Sequence, residues 1–134
     1  VLDVLDGDSL IVRRGRNPVE IRLYGIDCPE YRQPYSDQAR DFTRKRAAQG
    51  KRVKIRSVDV DRHARVVARV EIDGQELNLA LIQAGLAWWY SRYAPNETAY
   101  RDAQDAARKA GRGLWADPEP VPPWLWRRVN KLKK

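Results

Sequence analysis

Val19-Glu20-Ile21-Arg22-Leu23-Tyr24 runs directly into Gly25-Ile26-Asp27-Cys28-Pro29-Glu30. In the first half, Val19, Ile21 and Leu23 alternate with Glu20, Arg22 and Tyr24, the period of two expected of a half-buried strand. Arg22 therefore projects from the face opposite the apolar one. The second half breaks the strand with glycine and proline and sets two carboxylates, Asp27 and Glu30, in the loop that follows.

Outward from this stretch the N-terminal half reads as strands. Val1 to Leu5 is apolar and meets the turn Asp6-Gly7-Asp8, Leu10 to Val12 continues extended, and Gly15 to Pro18 supplies a second turn. Ser36, with Asp37 in the first turn, is the expected N-cap of a helix carrying Ala39, Phe42, Thr43 and Ala47 and closed by Gly50. Two β-rich runs follow, Val53 to Val60 and Val66 to Ile72, and Asp73-Gly74 is a turn signal. Leu77, Ala80, Leu81 and Ala84 form a second helical stripe ending at Gly85, and Leu86 to Trp89 is a short extended piece. Asn96 is the expected cap of a third helix, with Ala99, Ala103, Ala106, Ala107 and Ala110 as its packed stripe and Gly111 and Gly113 at its end. Five strands and three helices in this order predict an α+β, mainly β domain. The architecture that suits the count is the five-stranded oligonucleotide-binding (OB) barrel with helices outside. The domain is expected over residues 1–117. Residues 118–134 form a separate tail, in which Pro118, Pro120, Pro122 and Pro123 predict an extended strap, with Trp124 and Trp126 docked on the domain and a loose basic end.

The 134 residues suffice for one domain, and 43% hydrophobic content permits a true core. No apolar run is long enough to span a bilayer. One Cys and one His exclude a disulfide framework, a multi-Cys zinc site and a His-rich centre. Chemistry must rest on carboxylates, arginines and hydroxyls. Lys plus Arg is 26 against 18 acids, a net charge of +8, and the stretch Arg40 to Arg56 holds eight bases and one acid, which points to a polyanion partner. The terminal run Arg127, Arg128, Lys131, Lys133 and Lys134 reads as a solvated end.

The acids Asp8, Asp27 and Glu30 converge if the first and third strands are neighbours. Oxygen ligands without Cys or His suit a hard cation, Ca²⁺ or Mg²⁺, and sparse ligation leaves room for water and substrate. Arg22 beside them and Arg65 in the loop between two strands could grip a phosphate and stabilise a pentacoordinate transition state. A cation, a carboxylate base and two arginines make a kit for hydrolysing a phosphodiester. The same residues also read as ordinary turn chemistry and surface arginines.

The strings Asp6-Gly7-Asp8-Ser9, Ile21 to Glu30 and Asp61-Arg62-His63-Ala64-Arg65, followed by Leu77 to Ala87 and Tyr93-Ala94-Pro95-Asn96, resemble the staphylococcal (micrococcal, thermo-) nuclease family. The likeness runs in family order over about residues 1–116. It implies the OB-fold and Ca²⁺-dependent endonucleolytic cleavage of DNA and RNA with little sequence specificity. Water would attack phosphorus, the bond to the 5′ oxygen would break, and a 3′-phosphate would remain. It implies Asp8 and Asp27 as Ca²⁺ ligands, Cys28 as a backbone-carbonyl ligand, Glu30 as general base, and Arg22 and Arg65 as phosphate clamps. Arg62, His63 and Tyr93 would face substrate. It also implies a protein that is secreted, periplasmic or membrane-tethered, although no export segment is present in these residues, and a monomer is the default expectation. Trp88 and Trp89 are expected to pack rather than stack on bases. The loop departs from the family's Asp-basic-Tyr-Gly-Arg pattern at His63 and Ala64. If that glycine position needs a positive φ, Ala64 costs on the order of 1 kcal/mol. The competing reading is a non-catalytic nucleic-acid-binding OB module. A protein-interaction module built on the strap ranks below both.

Overall fold

The computed structural model of the protein describes residues 1–132. Its strands are β1 (Asp3–Asp6), β2 (Ser9–Arg14), β3 (Asn17–Leu23), β4 (Ile26–Asp27), β5 (Lys54–Val60), β6 (Val66–Ile72), β7 (Gln75–Glu76) and β8 (Trp88–Trp89). Its α-helices are α1 (Ser36–Arg46), α2 (Leu77–Gln83), α3 (Thr98–Ala110) and α4 (Pro123–Leu132), with a 3₁₀ turn at Gly113–Ala116. The five principal strands lie in the order β1-β2-β3-β6-β5, and β7 adds to β6. All neighbours are antiparallel except β3 and β6, which run parallel with Ile21 opposite Val66. The mainly β, α+β domain read from the sequence is the fold observed.

In β3 the period-two reading holds: Ile21 and Leu23 are buried, whereas Arg22 is half-buried on the other face. Leu10, Ile21, Leu23, Ala68 and Val70 from the sheet meet Leu77, Leu81 and Ile82 from α2 in the core. Burial of each large aliphatic side chain contributes about 1.5–3 kcal/mol. Asn78, completely buried among them, accepts the Val70 N–H (3.1 Å) and donates to the carbonyls of Tyr24 (3.0 Å) and Ala68 (3.1 Å). It therefore bridges the end of β3 to β6. Asp73-Gly74 makes the turn into β7. Gly111 ends α3 with φ 64°, the left-handed C-cap its position predicted.

Five local expectations are corrected. Gly50 does not close α1, which ends at Arg46 with Ala47 as its C-cap. Ser36 is the first helical residue of α1, not its cap. Tyr35 holds that position at φ 72° with no side-chain capping bond. Asn96 does not cap α3, which begins after Glu97. The packed face of α3 is Tyr100, Gln104 and Ala107, with Ala103 half-buried, whereas Ala99, Ala106 and Ala110 are exposed. Tyr100 buries far more area than any alanine, so it sets the orientation of the helix. Finally, the strap is extended only as far as Pro122. Pro123 opens α4, because a proline at the first helical position forfeits no hydrogen bond and already has a helical φ. Lys133 and Lys134 of the expected loose end lie outside the described residues.

Candidate active site

The turn between β1 and β2 presents Asp6, Gly7 and Asp8. The Asp8 N–H donates to Asp6 Oδ1 (3.1 Å), and Thr43 of α1 donates its hydroxyl to the Gly7 carbonyl (2.6 Å). Gly7 is packed so tightly that a Cβ there would lie 2.8 Å from Ala39 Cβ and 2.9 Å from Cys28 Sγ. Glycine is thus the residue that lets the turn reach α1 and the β4 segment together. Pairing of β2 with β3 sets Ser9 opposite Arg22, and the Leu23 N–H donates to the Asp8 carbonyl (2.9 Å). Asp8 and Arg22 thus meet through the β2–β3 hairpin, and the β1–β3 adjacency considered from the sequence is not needed.

Arg22 joins the carboxylates. Its Nη1 lies 3.0 Å from Asp8 Oδ2, and its Nη2 lies 3.2 Å from Asp27 Oδ1 and 3.1 Å from the Ile26 carbonyl. Asp8 is also held by the Cys28 N–H (2.7 Å). Asp27 is 1% exposed and stands opposite Trp88 in the short β4–β8 pair. Burial pushes the Asp27 pKa up to about 6, Asp8's charge adds to the rise, and Arg127 and Arg22 hold it back. Burial works against the charge of Arg22, but Asp8 and Asp27 outweigh it and raise its pKa. Asp6 is exposed as a residue, yet its carboxyl is crowded against Asp8. Loss of solvent there and Asp8's charge raise its pKa.

This is a cluster of hard oxygen donors interleaved with guanidinium groups. Asp8 and Asp27 are the two side chains that fit a divalent cation, since both are buried acceptors held together by one guanidinium. Among the described residues no three His, Cys, Asp or Glu side chains gather into a closed metal cluster. Two carboxylates would leave most of a cation's shell to backbone, water or substrate oxygen. Cys28 could contribute only its carbonyl. Its thiol is buried and its pKa is raised well above the ordinary value, chiefly by burial, which disfavours the thiolate.

Glu30 is half-buried beside this pocket, and its N–H donates to Gln33 Oε1 (2.9 Å). Other expected site residues lie apart from the carboxylates. Arg65 Nε is engaged by Asp61 Oδ2 (2.8 Å) and lies 3.8 Å from Glu20 Oε2. Its strand neighbour Val66 pairs with Ile21, one position from Arg22, so Arg65 flanks the pocket without touching Asp8 or Asp27. Arg62 and His63 are exposed in the loop, and Ala64 adopts φ 61°, the left-handed conformation that the substitution for glycine raised as a concern. Tyr93 is 65% exposed and meets Tyr90 edge-on, with ring centroids 4.8 Å apart. Trp88 and Trp89 pack as expected. Trp88 lies against Trp115 (4.5 Å), and Trp89 donates to the Ala94 carbonyl (2.9 Å).

The sequence reading missed Arg127. From α4 it places Nη2 2.8 Å from Asp27 Oδ2 and Nη1 3.2 Å from Asp27 Oδ1, and Nη1 also bonds Glu30 Oε1. The signal was present in the tail, where Pro123 can start a helix and Trp124 and Arg127 lie three residues apart on one face.

The family model described as Staphylococcal nuclease homologue matches residues 20–117, a span that contains Arg22, Asp27, Glu30 and Arg65 but neither Asp8 nor Arg127. An "Uncharacterized endonuclease" of Escherichia coli is 40% identical over 128 residues, covering 95% of this chain and 82% of its own. A "Micrococcal nuclease" of Shigella flexneri is 32% identical over 145 residues, covering 98% of this chain and 80% of its own. A "Probable staphylococcal-like nuclease CAN1" of Oryza sativa subsp. japonica is 36% identical over 126 residues but is matched over only 36% of its length. With the β2–β3 hairpin, the Asp8–Arg22–Asp27 cluster and these similarities taken together, the chain belongs to the staphylococcal nuclease homologue family.

Proposed function

We propose that this chain is a nuclease, and more specifically a Ca²⁺-dependent endonuclease that cleaves DNA and RNA with little sequence preference. The observation that carries the reading is the pair of buried carboxylates, Asp8 and Asp27, bridged by Arg22. The nuclease names of relatives at 32–40% identity support the general activity. Exposed Arg44, Lys45 and Arg46 in the last turn of α1 supply positive surface for a nucleic acid backbone.

In this mechanism Asp8 and Asp27 would hold the cation, which when bound would neutralise phosphate charge. Arg22 donates to a non-bridging phosphate oxygen and stabilises the charge that develops there. Glu30 accepts a proton from water as its oxygen attacks phosphorus. The P–O5′ bond breaks, its electron pair leaves with the 5′ oxygen, Arg65 supports that oxygen from the flank, and a solvent water protonates it. The products are a 3′-phosphate and a 5′-hydroxyl. Cys28 contributes backbone only, and Arg62, His63 and Tyr93 line the approach of substrate.

The test is cleavage of plasmid DNA and labelled RNA with Ca²⁺, Mg²⁺ or chelator, followed by end-group analysis. Cutting confined to Ca²⁺ with 3′-phosphate ends is the expected result. Glu30→Gln and Arg65→Ala are each expected to lower kcat by about 10²-fold or more. The alternative, a binding module without catalysis, draws on the engagement of Arg65 by Asp61 and Glu20. It requires salt-sensitive binding and no strand breaks in any metal.

A further inference from the structure

Arg127 does not reach the pocket by accident of a long side chain. Three contacts seat the tail on the active-site face. Trp124 stacks on Tyr90, with centroids 5.0 Å apart and planes 20° from parallel. The same ring meets Trp88 edge-on at 5.5 Å, and Trp88 is the β8 residue opposite Asp27. Gln33, whose Oε1 accepts the Glu30 N–H, donates its Nε2 to the Val121 carbonyl at 2.6 Å. The tail is thus fastened to both walls of the pocket, and the guanidinium it delivers grips Asp27 with both nitrogens and also takes Glu30.

Two of the groups assigned to catalysis are thereby already spoken for. Arg127 takes one acceptor direction on each Asp27 oxygen and Arg22 takes another on Oδ1, so of about four directions little is left for a divalent cation. The same group on Glu30 withholds the carboxylate from a water molecule. We propose that α4 is an internal latch: Arg127 acts as a built-in counter-cation at Asp27 and Glu30, and binding of a divalent cation and docking of α4 compete. The proposal rests on the reading of Asp8 and Asp27 as the cation site. Asp27 has only so many acceptor directions, and it cannot serve a bidentate arginine and a cation in full at once. The latch makes the pocket charge-compensated before the cation arrives, and it makes cation affinity a function of how firmly Trp124 is seated. Cation entry, in turn, releases α4 and uncovers Tyr90 and Glu30 for nucleic acid.

Calcium titration by calorimetry on the full chain tests this without reference to cleavage. Wild type is compared with Arg127→Ala, with Trp124→Ala, which keeps the arginine but removes its seat, and with Asp27→Asn. Arg127→Ala and Trp124→Ala are expected to bind Ca²⁺ about tenfold or more tightly than wild type, and Asp27→Asn is expected to lose binding. In wild type, saturating Ca²⁺ should speed amide hydrogen exchange across residues 123–132 relative to chelator. Equal Ca²⁺ affinity in wild type and both tail variants overturns the latch and leaves the cation site intact. No binding in any protein, or undiminished binding in Asp27→Asn, overturns the cation site and the latch with it.

Discussion

Arg22 Nη1 lies 3.0 Å from Asp8 Oδ2, inside a pocket where the other end of the same guanidinium reaches Asp27. One arginine thus separates two buried carboxylates that would otherwise repel each other at short range. Replacing it with alanine leaves both without their central partner. Arg22→Ala is expected to lower the unfolding free energy in chelator by about 3–5 kcal/mol, measured by urea denaturation at pH 7. A loss under about 1 kcal/mol would show that the carboxylates do not depend on it.

The pKa of Asp27 gives a stability signature with a defined sign. Its folded value is raised from 3.8 to about 6, so between those values the folded chain holds a proton that the unfolded chain has released. The contribution of Asp27 therefore falls as pH rises through this window, by on the order of 3 kcal/mol. The measurement is the stability difference between wild type and Asp27→Asn in chelator, followed from pH 4 to pH 7. Wild type should lose ground to the variant as pH rises. A difference that grows in favour of wild type would mean that Arg22 and Arg127 overcome burial.

Ala64 sits at φ 61° in an exposed loop, where its N–H donates to the Asp61 carbonyl (3.0 Å). A Cβ in the left-handed region costs about 1–2 kcal/mol, and glycine escapes that cost while giving back part of it in the unfolded chain. Ala64→Gly is therefore expected to raise the denaturation midpoint by the equivalent of about 0.5–1 kcal/mol, with an unchanged urea slope. A lowered midpoint would refute the strain.

Gly7 tests the coupling of packing to the site. Its missing Cβ would lie 2.8 Å from Ala39 Cβ and 2.9 Å from Cys28 Sγ, both buried. Gly7→Ala should cost about 1–3 kcal/mol by overpacking and displace the Asp8 turn. Cleavage is expected to drop far more than the folded fraction at the assay temperature. Activity that merely tracks the folded fraction would uncouple the turn from catalysis.

The sheet and the centre of the site were legible because short-range rules govern them. Alternation in Val19 to Leu23 reports which side of β3 is buried, and hairpin pairing then delivers Arg22 to Asp8. Helix ends were less legible. Ser36 is a good capping residue by type, but the chain enters α1 through a left-handed Tyr35, and tertiary packing overrides the local preference. Alanine spacing in α3 misled because the area buried by Tyr100 outweighs periodicity among small residues. Arg127 was out of reach for a different reason. Its partner Asp27 is 100 positions away, and a basic terminal run carries no local mark of what it will meet.

Asn78 lends the site a precision that none of its own residues provides. Its amide closes three backbone groups at the point where β3 and β6 part, and Tyr24 is the last residue before the Gly25 turn that leads to Asp27. The heading on which the chain leaves the sheet is therefore set by a side chain from α2. The tolerances of the Gly25–Asp27 loop are inherited from the far wall of the core, and a change of shape there would be felt at Asp27 as a change of aim.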